Sequence, residues 1–464
     1  MCQMERLSDG WYMAVSYVSV RQGGEQTAMK VTVGGTVSRL LKDTKIPKMF
    51  HAKQTFPREV ITAEEIPAVV NRELGQEQFA SLIKPGMEIA ITAGSRGIRN
   101  VDIITKSIVD FVKSRGAKPF IVPAMGSHGG ATAEGQLEIL ASYNITPETM
   151  GCPIKSSMEV VELGVSERGR TVYLDKNAYE ADGIIVSCRL KPHNAFRGTY
   201  ESGPCKMMTV GLGKQAGASL VHSDGMDVIA QNIPTMAKVV LEKAKILLAI
   251  PCIENAYDET CKIEAILAKD IMTREPELLK YAFTNMPKLI VGETDVLVVD
   301  EVGKNYSGTG VDPNITGTFS TPYATGGIKV QRTCFLNLSE ASHGNALGCG
   351  LASAITKKIF DEMDIEKMYP NCITSTVLAS ARIPCIVAND KEAIQICIKT
   401  CNKIDKDHAR VVRIANSLHI GEIMLSESYY EDVKAGRYPG VEALDEPQEL
   451  VFDENGNLTD KIPE

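Results

Sequence analysis

Three of the chain's seven histidines, His128, His193 and His222, fall on or just beyond loops that follow apolar, strand-like runs. Imidazole exchanges protons near neutral pH and is the commonest metal ligand, so this concentration points to a site that moves protons or holds a metal. Charged and flexible residues accompany them. Ala93-Gly94-Ser95-Arg96-Gly97 is followed by Arg99, and Gly126-Ser127-His128-Gly129-Gly130 closes a second run. Arg189, Lys191 and Arg197 surround His193, and Lys206 and Lys214 lie further on. Gly211-Leu212-Gly213-Lys214 suits a backbone turn against a phosphate, although the full GxxxxGK[ST] spacing is absent. In Gly303–Asn314, Lys304, Asn305 and Asp312 add a cation and two polar groups. Each residue also has a plainer reading: a histidine after a glycine turn often caps a helix, surface cations are solvated, and Asp312 can shape a turn.

The elements that must carry these loops follow a repeated pattern. Ile89–Thr92 is a short apolar run leading into the first loop, and Val101–Ser114 has a helical stripe of Ile104, Ile108, Phe111 and Val112. Lys118–Val122 reads as the next strand, and the helix starting at Thr132 takes Leu137, Ile139 and Leu140 as its apolar positions. Gly183–Ser187 opens onto Lys191-Pro192-His193. Beyond it come helix Pro234–Lys245, strand Ile246–Ile250, helix Pro276–Asn285 and strand Asp295–Val299. Further strand and helix material is expected at Thr333–Leu338, Asn345–Met363 and Ile383–Val387. Strand, loop and helix in alternation give an α/β fold of two domains with mainly parallel sheets and a site in the cleft between them. The expected divisions are 29–285 for a cofactor-binding catalytic domain, 286–437 for a closing domain and 438–464 for an irregular tail.

Composition sets outer limits. A length of 464 residues, 44% hydrophobic and 23% charged, is that of an ordinary two-domain globular protein. A net charge of -8 argues against a general nucleic-acid binder. The 12 cysteines are scattered, with no CxxC pair, so reduced buried thiols are expected and Cys205 is read as structural. No apolar run is long enough for a membrane span, and the expected location is the cytoplasm. Residues 1–28 read as an upstream extension or a disordered segment. Gly23-Gly24-Glu25 can be encoded by a purine-rich ribosome-binding sequence, with Met29 as the start.

Taken together, GSRGIRN at 94–100, PAMGSHGGATAEGQ at 123–136, RLKPHNAFRG at 189–198, SGPCKMMTVGLGKQAGA at 202–218 with His222, and DEVGKNYSGTGVDPNITG at 300–317 resemble the nickel-dependent lactate racemases. The likeness is closer to the family's diverse 2-hydroxy acid relatives, since the founding enzymes carry Asp-x-Thr-Arg where this chain has Ala93-Gly94-Ser95-Arg96. The resemblance implies an isomerase that racemises or epimerises a 2-hydroxy carboxylic acid. Hydride would pass to and from a nickel-pincer nucleotide through a 2-keto acid. It implies His222 as nickel ligand, Lys206 as covalent tether with Lys214 as its competitor, and His128 and His193 as acid/base residues. Ser95, Arg96, Gly126 and Gly213 would contact the cofactor, and Arg96, Lys304, Asn305 and Asp312 the substrate. Arg189, Lys191 and Arg197 hint at a second anionic group on the substrate or at the nucleotide phosphate. The implied partners are the substrate and the proteins that make the cofactor, with no nucleic acid or membrane. Two alternatives use the same residues: a zinc hydrolase with all three histidines as ligands, and a nucleotide-binding relative without turnover.

Overall fold

The computed structural model describes residues 4–6, 12–14, 31–95 and 98–463. β1 (Met4–Arg6) and β2 (Tyr12–Ala14) form a short antiparallel pair. The rest of the 1–28 segment, and so the expectation about where the chain starts, lies outside the described residues, as does Arg96.

After β3 (Met49–Gln54) the chain enters its first large sheet. β4 (Glu88–Ala93) and β5 (Lys118–Pro123) pair in parallel, and the separate hairpin of β6 (Val160–Val165) and β7 (Thr171–Asp175) follows. β8 (Gly183–Arg189) then returns to the other side of β4, and β9 (Ile246–Glu254) pairs parallel to β8. β10 (Thr260–Ile263) and β11 (Ile266–Leu267) fold back antiparallel on β9. The order β10-β9-β8-β4-β5 places a reversal of winding beside β4, where open parallel sheets bind ligands at their carboxyl ends.

Alternation along these strands fills two layers of core. Ile89, Ile91, Ile121, Ile185, Leu248 and Ile250 pack with helices Ile66–Leu74 and Val101–Ser114. Ala90, Phe120, Val122, Ile184 and Val186 pack with helix Ile229–Lys243 on the opposite face. Successive side chains on a strand point to opposite faces, so strands buried on both sides read as continuous apolar runs.

Between Asn285 and Glu293 the chain passes to a second sheet of β12 (Glu293–Val302), β13 (Lys329–Leu338), β14 (Ala354–Thr356), β15 (Cys385–Val387), β16 (Val411–Ile414), β17 (Glu422–Ser426) and β18 (Val441–Ala443). Its order is β15-β14-β13-β12-β16-β17-β3-β18, parallel from β15 to β16 and antiparallel beyond.

The structure departs from the sequence reading at several places, each for a physical reason. β3 hydrogen-bonds between β17 and β18, so a first domain running unbroken from 29 to 285 does not match the sheets. The expected irregular tail contributes β18, and bridges Met49 to Gln448 and Phe452 to Leu458 hold the rest. The two helices expected to begin at Pro234 and Pro276 start five residues earlier, at Ile229 and Ile271. A proline removes one helical N–H, leaving the carbonyl four residues back without its partner. At Pro276 that carbonyl belongs to Met272, and the Tyr200 hydroxyl donates to it at 2.7 Å. Asn345–Met363 is not one helix. Gly348, in the left-handed region at φ +108°, breaks it before β14, and Thr356 caps the short helix Lys357–Glu362. Leu137, expected in the core, is exposed.

Candidate active site

The loops after β4, β5 and β8 gather at the carboxyl edge of the first sheet. Ser95 follows β4; its hydroxyl contacts Nδ1 of His128, and its carbonyl accepts the Tyr143 hydroxyl at 3.0 Å. His128 follows β5 on an exposed turn. The segment starting at Pro204 passes beneath both loops. Its Met207–Gly211 portion is a π-helical turn, a form that recurs at functional sites. Gly211 is required there: a Cβ would stand 2.7 Å from Met207 Sδ and 2.8 Å from the Ala124 carbonyl oxygen. Its own carbonyl accepts the Gly126 amide at 3.1 Å. Gly126, at φ +58°, leaves room for Val210 and Ala218, and a Cβ there would lie 3.3 Å from that of Ala218. The β5 loop therefore rests directly on helix Lys214–Ser223, whose last turn carries His222.

His222 is half-buried, and its Nδ1 lies 2.6 Å from the Ala218 carbonyl oxygen. A carbonyl only accepts, so Nδ1 carries the proton and Nε2 keeps its lone pair. Burial lowers the imidazole pKa, opposed by the Ala218 carbonyl, and Lys206 lowers it further. His193 presents the opposite form. The Ala195 amide donates to its Nδ1 at 3.1 Å, which puts the proton of a neutral ring on Nε2. The ring packs on Phe196 at 4.2 Å between centroids. Burial holds its pKa well below the ordinary histidine value, and Lys206, His222, Lys191 and Arg197 add to the effect. His193, His222 and Lys206 thus lie within electrostatic reach of one another.

The β8 loop is supported by Glu201, which the sequence pattern did not single out, and by Arg197, which it did. Glu201, 2% exposed, accepts the His193 amide at 2.6 Å and the Gly198 amide at 3.1 Å. Arg197 donates to the His193 carbonyl at 2.6 Å and to the Thr325 carbonyl at 3.0 Å, contacts Asn314, and stacks over Phe283 and Phe319. The one sequence signal for this support was the density of polar residues between His193 and Glu201.

The second sheet brings its 303–314 loop to the same place. Asn194 donates to Ser307 at 3.0 Å, and Lys191 pairs with Asp312 at 3.3 Å. Arg189, Lys191 and Asp258, together with Tyr306 and Asp312 from the loop after β12, line a small recess. Asp312 also caps Pro313–Thr316, and Asn305 accepts from Ser339 at 2.7 Å, so both shape the loop. The Lys304 ammonium donates to the Gly308 carbonyl at 2.6 Å.

Three sequence expectations need correction. Lys214 is fully buried: its ammonium lies 3.2 Å from Asp175 and donates to the Pro123 carbonyl at 2.5 Å and to Gln136 at 3.0 Å. It sits in the core and presents nothing to a phosphate. Gly213 beside it has the Thr209 carbonyl 2.2 Å from where a Cβ would be, so its role is close packing. Nor do Arg189, Lys191 and Arg197 form an uncommitted cluster, since they pair with Glu254 at 2.5 Å, Asp312 at 3.3 Å and Glu201 at 3.4 Å. Cys205 is a buried thiol whose pKa burial raises well above its ordinary value, with the Glu275 carboxyl adding to the effect, in keeping with a structural role.

Two residues could hold the nickel-pincer nucleotide that the sequence resemblance implies. His222 offers an imidazole with its proton fixed on the far nitrogen, as a carbonyl-anchored metal ligand does. Lys206 is half-buried and close enough to shift both His193 and His222. Among the described residues no three His, Cys, Asp or Glu side chains gather as metal ligands, so a zinc site built from all three histidines gains no support. No helix among the described residues is long and apolar enough to cross a membrane.

Residues 35–231 match the family model for the lactate racemase N-terminal domain, a span that holds Ser95, His128, His193, Lys206 and His222. No curated protein matches. Among solved structures, the chain is similar to the lactate racemase apoprotein from Thermoanaerobacterium thermosaccharolyticum, at 12% identity and a TM-score of 0.43, over 73% of this chain and 84% of that one. Over residues 35–231, this chain is similar to the lactate racemase N-terminal domain.

Proposed function

We propose that the protein is a racemase or epimerase of a 2-hydroxy carboxylic acid that works with a nickel-pincer nucleotide. The observation that carries this reading is His222, with Nδ1 locked on the Ala218 carbonyl and Nε2 left as a ligand atom. His193 and Lys206 stand near it. When bound, the nucleotide would supply an acceptor and donor of hydride. His222 would hold its metal, since imidazole suits nickel, and Lys206 would be the lysine that tethers it.

The protein's own task is to move the hydroxyl proton and orient the acid. The α-hydrogen of a 2-hydroxy carboxylate is too weakly acidic for a histidine to remove as a proton. It leaves more readily as hydride if the hydroxyl proton is taken at the same time. His128, with Ser95 against its Nδ1, is the residue to take that proton. His193 is neutral at pH 7 with its proton on Nε2, a form suited to donating a hydrogen bond to the substrate oxygen. Its service as a base from the opposite side requires the Ala195 contact to break, so the two histidines are unequal in this state. Arg96 and Lys304 are the cations proposed for the substrate carboxylate. Closure of the 303–314 loop would exclude water.

The test uses one enantiomer of a candidate 2-hydroxy acid carrying α-deuterium, with protein co-expressed with the cofactor-making proteins. Deuterium retained in the inverted product is expected, whereas complete exchange with solvent refutes hydride return. Nickel content gives a second readout: native protein should hold the metal and His222→Ala should lose it.

A further inference from the structure

Behind the His128 loop lies a buried charge pair that the proposed chemistry does not use. Lys214 and Asp175 are both 0% exposed. A buried ion pair seldom stabilises a protein more than apolar residues of the same size would. Its placement here has a visible geometric consequence. The Lys214 ammonium donates to the Pro123 carbonyl at 2.5 Å and to the Gln136 side-chain oxygen at 3.0 Å. With its oxygen held by a cation, the Gln136 amide must turn its NH2 the other way. That NH2 donates to the Gly126 carbonyl at 3.0 Å and to the His128 carbonyl at 3.2 Å. Three carbonyls of one loop, at 123, 126 and 128, therefore end on a single buried cluster.

The anchor is itself well fixed. Lys214 adopts φ +54°, a conformation uncommon for a residue with a side chain. Asp175 ends β7, caps the helix after it through the Ala178 amide at 2.9 Å, and donates its own amide to the Leu212 carbonyl at 2.7 Å. The cluster thus ties the hairpin, the π-helical segment and the β5 loop together. We propose that Asp175, Lys214 and Gln136 are positioning residues for His128, holding its loop so that the imidazole meets the substrate hydroxyl. This rests on the reading of His128 as the proton-transfer residue.

Two variants of the full-length chain test it. Gln136→Glu keeps an acceptor for Lys214 and removes both N–H donors, and Gln136→Met removes acceptor and donors alike. Histidine imidazole NMR spectra would be recorded for native and variant protein, with His128→Asn used to assign the resonance. The expected result is that His128 signals move, while those of His193 and His222 stay in place. In cofactor-loaded protein, kcat should fall by roughly 10-fold or more with KM changed far less. His128 signals that superimpose on the native ones in both variants overturn the proposal. If native loaded protein interconverts no 2-hydroxy acid, the functional reading fails, and the NMR result still decides the positioning separately.

Discussion

At the scale of single residues, the three histidines differ in kind. His222 has a lone pair on Nε2 and His193 a proton there, each set by one backbone group in contact with Nδ1. This gives a prediction with a definite sign. The folded protein holds the His193 pKa well below its unfolded value of about 6.5. Folded protein therefore binds fewer protons than unfolded protein once the pH drops below that value. The stability tied to neutral His193 is fully present above about pH 6.5 and is lost as the pH falls toward the folded pKa. Urea midpoints measured from pH 7.5 to 5 should decline through this range, and His193→Gln should flatten the decline. Equal slopes in the two proteins would show that His193 does not titrate as described. Gln136 and Asp175 act at the same scale without touching a substrate, through hydrogen bonds that fix where a loop runs.

At the scale of elements, the π-helical turn links the site to the sheet. Met207–Gly211 widens the helix between Lys206 and Lys214, and its glycine lets the end of β5 come close. Gly211→Ala would drive a methyl into the Ala124 carbonyl, and backbone cannot swing away as a side chain can. The expected cost is about 1–3 kcal/mol, measured by chemical denaturation. An unchanged midpoint would mean that the turn adjusts freely. The helices containing Pro234 and Pro276 carry a related lesson. Proline is a good mark of a helix's first turn, yet at Pro276 a side chain 76 positions earlier, Tyr200, satisfies the carbonyl that proline orphans.

At the scale of the whole molecule, the ends of the chain complete the second sheet. β3 and β18 close one edge, and Arg413, 1% exposed, is held by Asp300 at 2.8 Å and by Asp460 at 2.7 Å. Burial pushes the Asp300 carboxyl up to about 6, against the pull of Arg413. Asp460→Ala would leave one branch of a buried guanidinium without its anion. It should lower stability by about 1–3 kcal/mol, read as a lower melting temperature, and, on the proposed function, leave any nickel binding unchanged. A loss of nickel in this variant would show that the tail reaches the site.

The sequence by itself determined most of the strands and helices of the first sheet and which candidate residues follow its strands. Two-sided apolar strands, helical stripes such as Ile104–Ile108–Val112, and glycine turns after strands are local patterns that local chemistry enforces, and they put His128 and His193 at strand ends. Tertiary structure alone decided which polar groups were already committed. Lys214 and Lys206 stand only eight positions apart in the sequence, yet one ends in the core against Asp175 and the other beside two histidines. Arg189, Lys191 and Arg197 resemble an anion site until their carboxylate partners, four to 121 positions away, are found. The physical reason is that a side chain's charge is legible from its type, whereas its partner is set by which distant segments the sheets bring together.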